Sequence, residues 1–213
     1  MKLLAFGAHL DDIELACGGT LARAVDNGHT VRMVVLSESD YANYRGEVLR
    51  TKKQALEEGR DAAKALGVED LVVLNNATKD IPYHSEIIEQ IEAQIDAFAP
   101  DLIFTHWAFD THQAHVGVAL STISAARRHP SVLMYEPINP SGRSYVAYRP
   151  QLYIDISTSI DKKLASLKAH VSQYRKYGES WIEAIQSRAR HRGFEGGYHY
   201  AESFEILRMG LAI

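Results

Sequence analysis

The chain has 213 residues, 46% hydrophobic and 23% charged, with a formal net charge of -4. That balance suits one folded core, excludes disordered and fibrous classes, and gives no electrostatic reason to expect a nucleic-acid partner. The one cysteine, Cys17, excludes an internal disulfide and a cysteine-built metal cluster, and no stretch approaches the roughly 18 apolar residues of a membrane span. A cytoplasmic protein that works without a membrane is therefore expected.

Lys2 to Ala8 contains the apolar run Leu3-Leu4-Ala5-Phe6 and reads as a buried strand. Asp12 to Asn27 has helical spacing closed by Asn27-Gly28, and Thr30 to Leu36 is a β-branched second strand, giving a βαβ unit. Ser37 to Gly46 is polar and follows that strand's C-terminal end, so it is either a solvated loop or a substrate contact. Glu47 to Leu66 reads as an amphipathic helix stopped by Gly67, and Leu71 to Leu74 as the third strand. Ser85 to Phe98 is a helix with isoleucines on one face, and Leu102 to Thr105 is the fourth strand.

Val116 to Arg128 continues as helix, Val132 to Tyr135 is a fifth strand, and Glu136 to Arg143 has the proline and glycine density of a structured loop. Gln151 to Ile156 is a strand, Ser157 to Tyr177 and Trp181 to Arg192 are helices, and Gly193 to Ala201 is irregular. Strands alternating with helices imply an α/β, Rossmann-like fold, with a mostly parallel sheet covered on both faces. The C-terminal third is an extension of that sheet, and residues 1–213 form one domain.

Two dense polar clusters stand at the C-terminal ends of strands, where open α/β sheets place ligands. The first is Gly7-Ala8-His9-Leu10-Asp11-Asp12-Ile13-Glu14, and the second runs from His106 through Asp110-Thr111-His112-Gln113-Ala114-His115. One imidazole and one carboxylate, joined by an imidazole from elsewhere, form a three-ligand set that holds zinc with a position left for water. The metal lowers that water's pKa towards about 7, and a second carboxylate can take its proton. The plainer account makes Asp11 and Asp12 helix-capping residues and His112 a surface histidine. Two clusters at matching rims favour a shared ion. Gly18-Gly19 lies inside the first helix, so the phosphate-cradling turn of a dinucleotide site is missing.

The first cluster with Cys17-Gly18-Gly19-Thr20, and Asp110 to His115, resemble the two motifs of the LmbE/PIG-L family of zinc-dependent N-acetylglucosaminide deacetylases. The likeness extends through Ala62-Ala63-Lys64-Ala65-Leu66-Gly67 and the C-terminal Arg192-Gly193 and Tyr200 to Glu205. It implies His9, Asp12 and His115 as ligands of Zn2+ or another divalent transition metal, Asp11 as general base, and His112 as stabiliser of the oxyanion, with Asp11 or His112 protonating the leaving amine. It implies a small amino-sugar substrate, an N-acetylglucosamine-type conjugate, and a homo-oligomer.

Two positions depart from the family pattern. Leu10 stands where proline is usual, and Ala114 where an aspartate commonly pairs with the catalytic histidine. Asp110 is the candidate to replace that carboxylate. The alternative is a catalytically impaired sugar- or metal-binding member. An arginine often found in the family's helix before the Ala62 to Gly67 segment is not in register, which leaves Arg45, Arg50 and Arg143 as candidates for the substrate's polar groups. His191 and Arg192 are candidates for pocket lining. His106 is a further lining candidate, and the remaining histidines, His170 among them, are read as structural or exposed.

Overall fold

Alternation along β1 (Lys2–Gly7) decides which face each residue serves, because successive side chains of a strand point to opposite sides. Leu3 and Ala5 join one core layer, whereas Leu4 and Phe6 join the other. The computed structural model describes residues 1–138 and 140–210, so Asn139 of the predicted 136–143 loop lies outside the described residues.

The chain continues through α1 (Asp12–Asp26), β2 (Thr30–Ser37), β3 (Tyr41–Ala42), β4 (Val48–Arg50), α2 (Lys52–Leu66), β5 (Asp70–Asn76), α3 (Ser85–Phe98), β6 (Leu102–Thr105) and α4 (Gln113–Ala125). It ends with β7 (Val132–Tyr135), β8 (Leu152–Asp155), α5 (Ile160–Ala169), α6 (Val171–Tyr177), α7 (Glu179–Gly196) and β9 (Ala201–Arg208). The main sheet has the order β5-β2-β1-β6-β7-β9-β8. Its first five strands are parallel, and β9 runs antiparallel to both β7 and β8. The α/β class and the mostly parallel sheet agree with the sequence.

One layer packs Leu10, Ile13, Cys17 and Leu21 with Ala55, Ala63 and Leu66 of α2 against the sheet, and the other packs Ile87, Ile91 and Phe98 of α3 with Ala114 and Val118 of α4. Each fully buried aliphatic or aromatic side chain stabilises the fold by about 1.5–3 kcal/mol. Because β2 lies on one side of β1 and β6 on the other, the strand order reverses between β1 and β6. A crevice opens there at the strands' C-terminal ends, and it receives both polar clusters.

Several boundaries differ from the sequence reading, among them α7, which runs to Gly196 through the segment read as irregular from Gly193. The predicted helix from Glu47 begins only after Thr51, whose side chain accepts the Gln54 N–H at 3.2 Å as an N-cap. Val48 to Arg50 instead pairs with Tyr41 and Ala42 as a hairpin. The predicted 157–177 helix is two helices that part at His170, whose side chain is withdrawn into the interior.

The C-terminal third is not an appendage, since β9 is inserted between β7 and β8. Its two buried glutamates disguise it as a polar segment. Glu202 accepts the Gly19 and Thr20 N–H groups at 2.9 and 2.7 Å and pairs with Lys163, while Glu205 accepts from Trp107 Nε1 and Arg149 at 3.1 and 2.6 Å. Buried charges are tolerated where each finds partners.

Candidate metal centre and active site

The turn after β1 carries His9, Asp11 and Asp12, and the turn after β6 carries His106, Asp110 and His112, with His115 in the first turn of α4. Asp12 lies between the two turns. Its Oδ2 accepts the His9 N–H at 2.7 Å and sits 3.3 Å from His9 Nδ1, and its Oδ1 lies 3.3 Å from His115 Nε2. Potential donor atoms of His9, Asp12 and His115 all lie within 4.8 Å of one another.

Both imidazoles of this triad have their remote nitrogen on an acceptor. His9 Nε2 is 3.3 Å from the Thr78 carbonyl, and His115 Nδ1 is 3.0 Å from Asp110 Oδ2. Such partners fix the tautomer and aim the other nitrogen at a metal. The His9 and His115 rings are inclined at 56°, so their in-plane lone pairs can converge.

A second group, His106 with Asp110 and His115, also falls within ligand spacing. Its rings exclude it as a cation site. His106 stacks on His115 at 4.1 Å and 18°, so their lone pairs lie in nearly parallel planes, and His106 Nε2 already accepts the Ala8 N–H at 3.0 Å. Burial, with the charge of His115, pushes the His106 pKa down to about 4 and keeps the ring neutral.

Charge in the triad is arranged for a cation. Burial works against a charged His115, but Asp12 and Asp110 overcome it and push its pKa up to about 10. Burial likewise opposes an ionised Asp12, yet His115, His106 and His9 hold it well below the usual carboxylate range. The imidazolium proton thus supplies the positive charge that a divalent ion would bring. Two imidazoles and a carboxylate with oriented outer partners fit zinc.

Asp11 stands at the start of α1 but makes no side-chain capping bond, so the capping account does not describe it. Its backbone has φ 143° and ψ -21°, a region that costs a non-glycine residue about 1–3 kcal/mol. Its carboxylate faces the cavity, and burial, with the adjacent Asp12 charge, raises its pKa to about 6. His112 stacks on His115 at 4.4 Å and meets His9 edge-on at 5.0 Å. Burial and those two neighbours push its pKa down to about 4.

Asp110 does not pair with the His112 ring. One of its oxygens accepts the His112 backbone N–H at 2.8 Å and the other faces His115. Ala114 is fully buried in the α4 core, where it leaves His112 without a carboxylate.

The site forms the floor of a cavity of about 440 Å³. Its walls include Tyr41 of the hairpin, Thr78 and Lys79 after β5, Ile138 and Ser141 after β7, and Gln173, Lys176, Tyr177 and Trp181 at the α6–α7 corner. Sequence reasoning missed this corner, because only the tertiary fold brings it to the motifs, whereas the polar loop from Asn75 to Pro82 was legible as part of the rim.

The substrate-binding candidates divide. Arg50 lines the cavity, but its guanidinium is 1% exposed and is held by Glu58 at 2.9 Å, the Leu10 carbonyl at 3.0 Å and His170 at 3.2 Å. Arg192 is not in the wall and pairs with Glu136, which is. Arg45, Arg143 and His191 are exposed and lie outside it.

Two His/Asp motifs thus meet at the switch point of a Rossmann-like sheet, in a group that could hold a metal ion. Residues 4–126 match the GlcNAc-PI de-N-acetylase (PIG-L) family, and the chain belongs to that family. It is similar to the uncharacterized deacetylase YaiS of Escherichia coli K12, at 32% identity over 80% of this chain and 90% of that one. It is also similar to diacetylchitobiose deacetylase of Thermococcus kodakarensis, at 24% identity over 97% of this chain and 83% of that one. The 4-carboxy-2-hydroxymuconate hydratase of Pseudomonas putida KT2440 shares the fold, with a TM-score of 0.81 at 18% identity, covering 100% of this chain and 98% of that one.

Proposed function

We propose that the chain is a zinc-dependent N-deacetylase that removes acetate from an N-acetylated amino sugar of the N-acetylglucosamine type. The observation that carries this reading is the convergence of His9, Asp12 and His115 on the cavity floor, with Asp11 beside them and engaged in no capping bond. His9, Asp12 and His115 would hold the ion, which when bound supplies Lewis acidity and makes water nucleophilic near neutral pH.

Asp11 takes the proton of the attacking water as its oxygen adds to the acetyl carbon. A neutral His112 donates a ring N–H to the carbonyl oxygen as charge develops there. The low pKa of His112 leaves it without a spare proton near neutrality, so Asp11 is the group that passes its proton to the amine as the C–N bond breaks. Acetate and a free amino sugar result. A cavity of about 440 Å³ has room for a sugar with its attached group.

Among the described residues no helix is long and apolar enough to cross a membrane. We take the substrate to be a small glycoside rather than a bilayer-embedded glycolipid, and the protein to be a cytoplasmic enzyme whose residues 1–213 act as one domain and, as the family resemblance implies, assemble as a homo-oligomer. The relatives named deacetylases support the reaction class, while the hydratase shows that the fold alone does not choose it. The carboxylate-free Ala114 position favours a second reading, a binding protein with impaired catalysis. The test is acetate release from N-acetylglucosamine and N,N'-diacetylchitobiose by the zinc-loaded protein. Stoichiometric zinc without acetate from any N-acetyl sugar would select the second reading.

A further inference from the structure

The strained backbone at Asp11 needs something to hold it. The peptide that joins Leu10 to Asp11 is fixed at its carbonyl by Arg50, whose NH1 donates to Leu10 O at 3.0 Å, and the preceding peptide is fixed by the Leu10 N–H donating to Ser39 Oγ at 2.8 Å. The Leu10 side chain, fully buried, abuts Gly59 of α2, where an added Cβ would lie 2.4 Å from Leu10 Cδ2. Beyond Asp11, its own carbonyl is taken by the Leu15 N–H at 2.9 Å. With the carbonyl of residue 10 and the helix behind residue 11 both tied, φ of Asp11 cannot relax without breaking a buried bond.

Arg50 is itself held from two sides. Glu58 of α2 pairs with it at 2.9 Å, and His170, at the break between α5 and α6, contacts its NH2 at 3.2 Å through Nδ1 and Glu14 of α1 at 3.1 Å through Nε2. His170 and Glu14 are fully buried, and Arg50 and Glu58 nearly so. Such a group of buried ions is no cheap source of stability, since apolar residues of like volume do as well or better. None of these four side chains belongs to the metal triad. Their shared endpoint is the Leu10 carbonyl.

We infer that Arg50 and His170 are positioning residues that clamp the Leu10–Asp11 peptide and so hold the Asp11 carboxylate at its post in the cavity. Arg50 comes from β4 rather than from the helix that carries Glu58, and His170 ties the C-terminal helices to the first motif. The inference rests on Asp11 being the base of the proposed deacetylase, although the clamp itself is a statement about backbone geometry.

The test uses Arg50→Met, His170→Gln and Asp11→Ala in the full-length, zinc-loaded protein. Arg50→Met and His170→Gln are expected to lower kcat for acetate release by about 10- to 100-fold, the scale of a small misplacement, with KM and zinc content unchanged. Adding Arg50→Met to Asp11→Ala is expected to lower kcat no further, because Arg50 acts through Asp11. A raised KM, or a further loss in the double variant, would instead make Arg50 a direct substrate contact and overturn the inference. Where Arg50→Met fails to fold, His170→Gln keeps both readouts. Crystal structures of the variants give a second test that survives if no sugar is deacetylated: a φ of Asp11 near 143° in both would also overturn the clamp.

Discussion

Asp110 Oδ2 lies 3.0 Å from His115 Nδ1, on the opposite ring nitrogen from the one that faces Asp12. A carboxylate in that place raises the basicity of an imidazole ligand and fixes its orientation, and removing such a partner typically costs about 10- to 100-fold in metal affinity. Asp110→Ala is therefore expected to weaken zinc binding by that factor in a competitive chelator titration. A variant with unchanged affinity but reduced turnover at saturating zinc would place the carboxylate's influence on His112 instead.

Asp11→Asn separates stability from activity. The folded-state pKa of Asp11 is raised from 3.8 to about 6, so the folded protein binds this proton more tightly than the unfolded chain does. The associated stability is present below the unfolded value and is lost as pH rises through about 6. Above that window the ionised carboxylate costs the metal-free protein up to about 3 kcal/mol. Asn keeps the shape and tolerates a positive φ better than most residues. Urea melts of the metal-free variant at pH 7.5 should therefore show a gain of up to about 3 kcal/mol that vanishes towards pH 4, while turnover falls by about 10²–10⁴. Equal stability of variant and parent at pH 7.5 would show that Asp11 is not desolvated.

How far the sequence reached has a physical explanation. The strands β1, β2, β6 and β7 are short apolar runs with both faces covered, and such runs are legible without any partner. The first motif is local as well: His9, Asp11 and Asp12 share one turn, so their spacing already says that they meet. Asp110 was legible as a site residue but its partner was not, since two histidines follow within five positions and only the turn geometry sends one carboxylate oxygen to the ring of His115 and the other to the backbone of His112. Strand β9 was hidden because Glu202 and Glu205 look solvent-exposed until Lys163, Arg149 and two helix N–H groups are brought to them. His170 gave no signal, since its partners Glu14 and Arg50 are 156 and 120 residues away in the chain.

Gly117 shows how the second motif is held to the loop that serves the first. A Cβ at this position would lie 1.8 Å from the Ile81 carbonyl oxygen, a backbone atom that cannot swing aside. Gly117→Ala must push α4 away from the loop that follows β5. That loop presents the Thr78 carbonyl to His9, while α4 carries His115. The expected result is a loss of about 1–3 kcal/mol, the usual scale of overpacking, together with weaker zinc binding. Wild-type stability and affinity in this variant would show that the two elements are not in rigid contact.

Metal uptake should release a proton, and the count identifies its source. In the metal-free protein His115 is held protonated up to about pH 10 by Asp12 and Asp110, and an imidazolium has no lone pair to offer an ion. At pH 7.5 Asp11 is already ionised, so its titration adds nothing to the count. Calorimetric zinc titrations in buffers of different ionisation enthalpy should therefore report close to one proton released per ion, with affinity weakening about tenfold for each unit of pH lowered. His115→Gln should abolish both the release and the tight site. Stripping the metal with a chelator should lower the melting temperature, because zinc at a hundred times its Kd stabilises the native state by about 2.7 kcal/mol. Zinc binding with no proton released would mean that the ion does not displace the His115 proton, and would remove His115 from the ligand set.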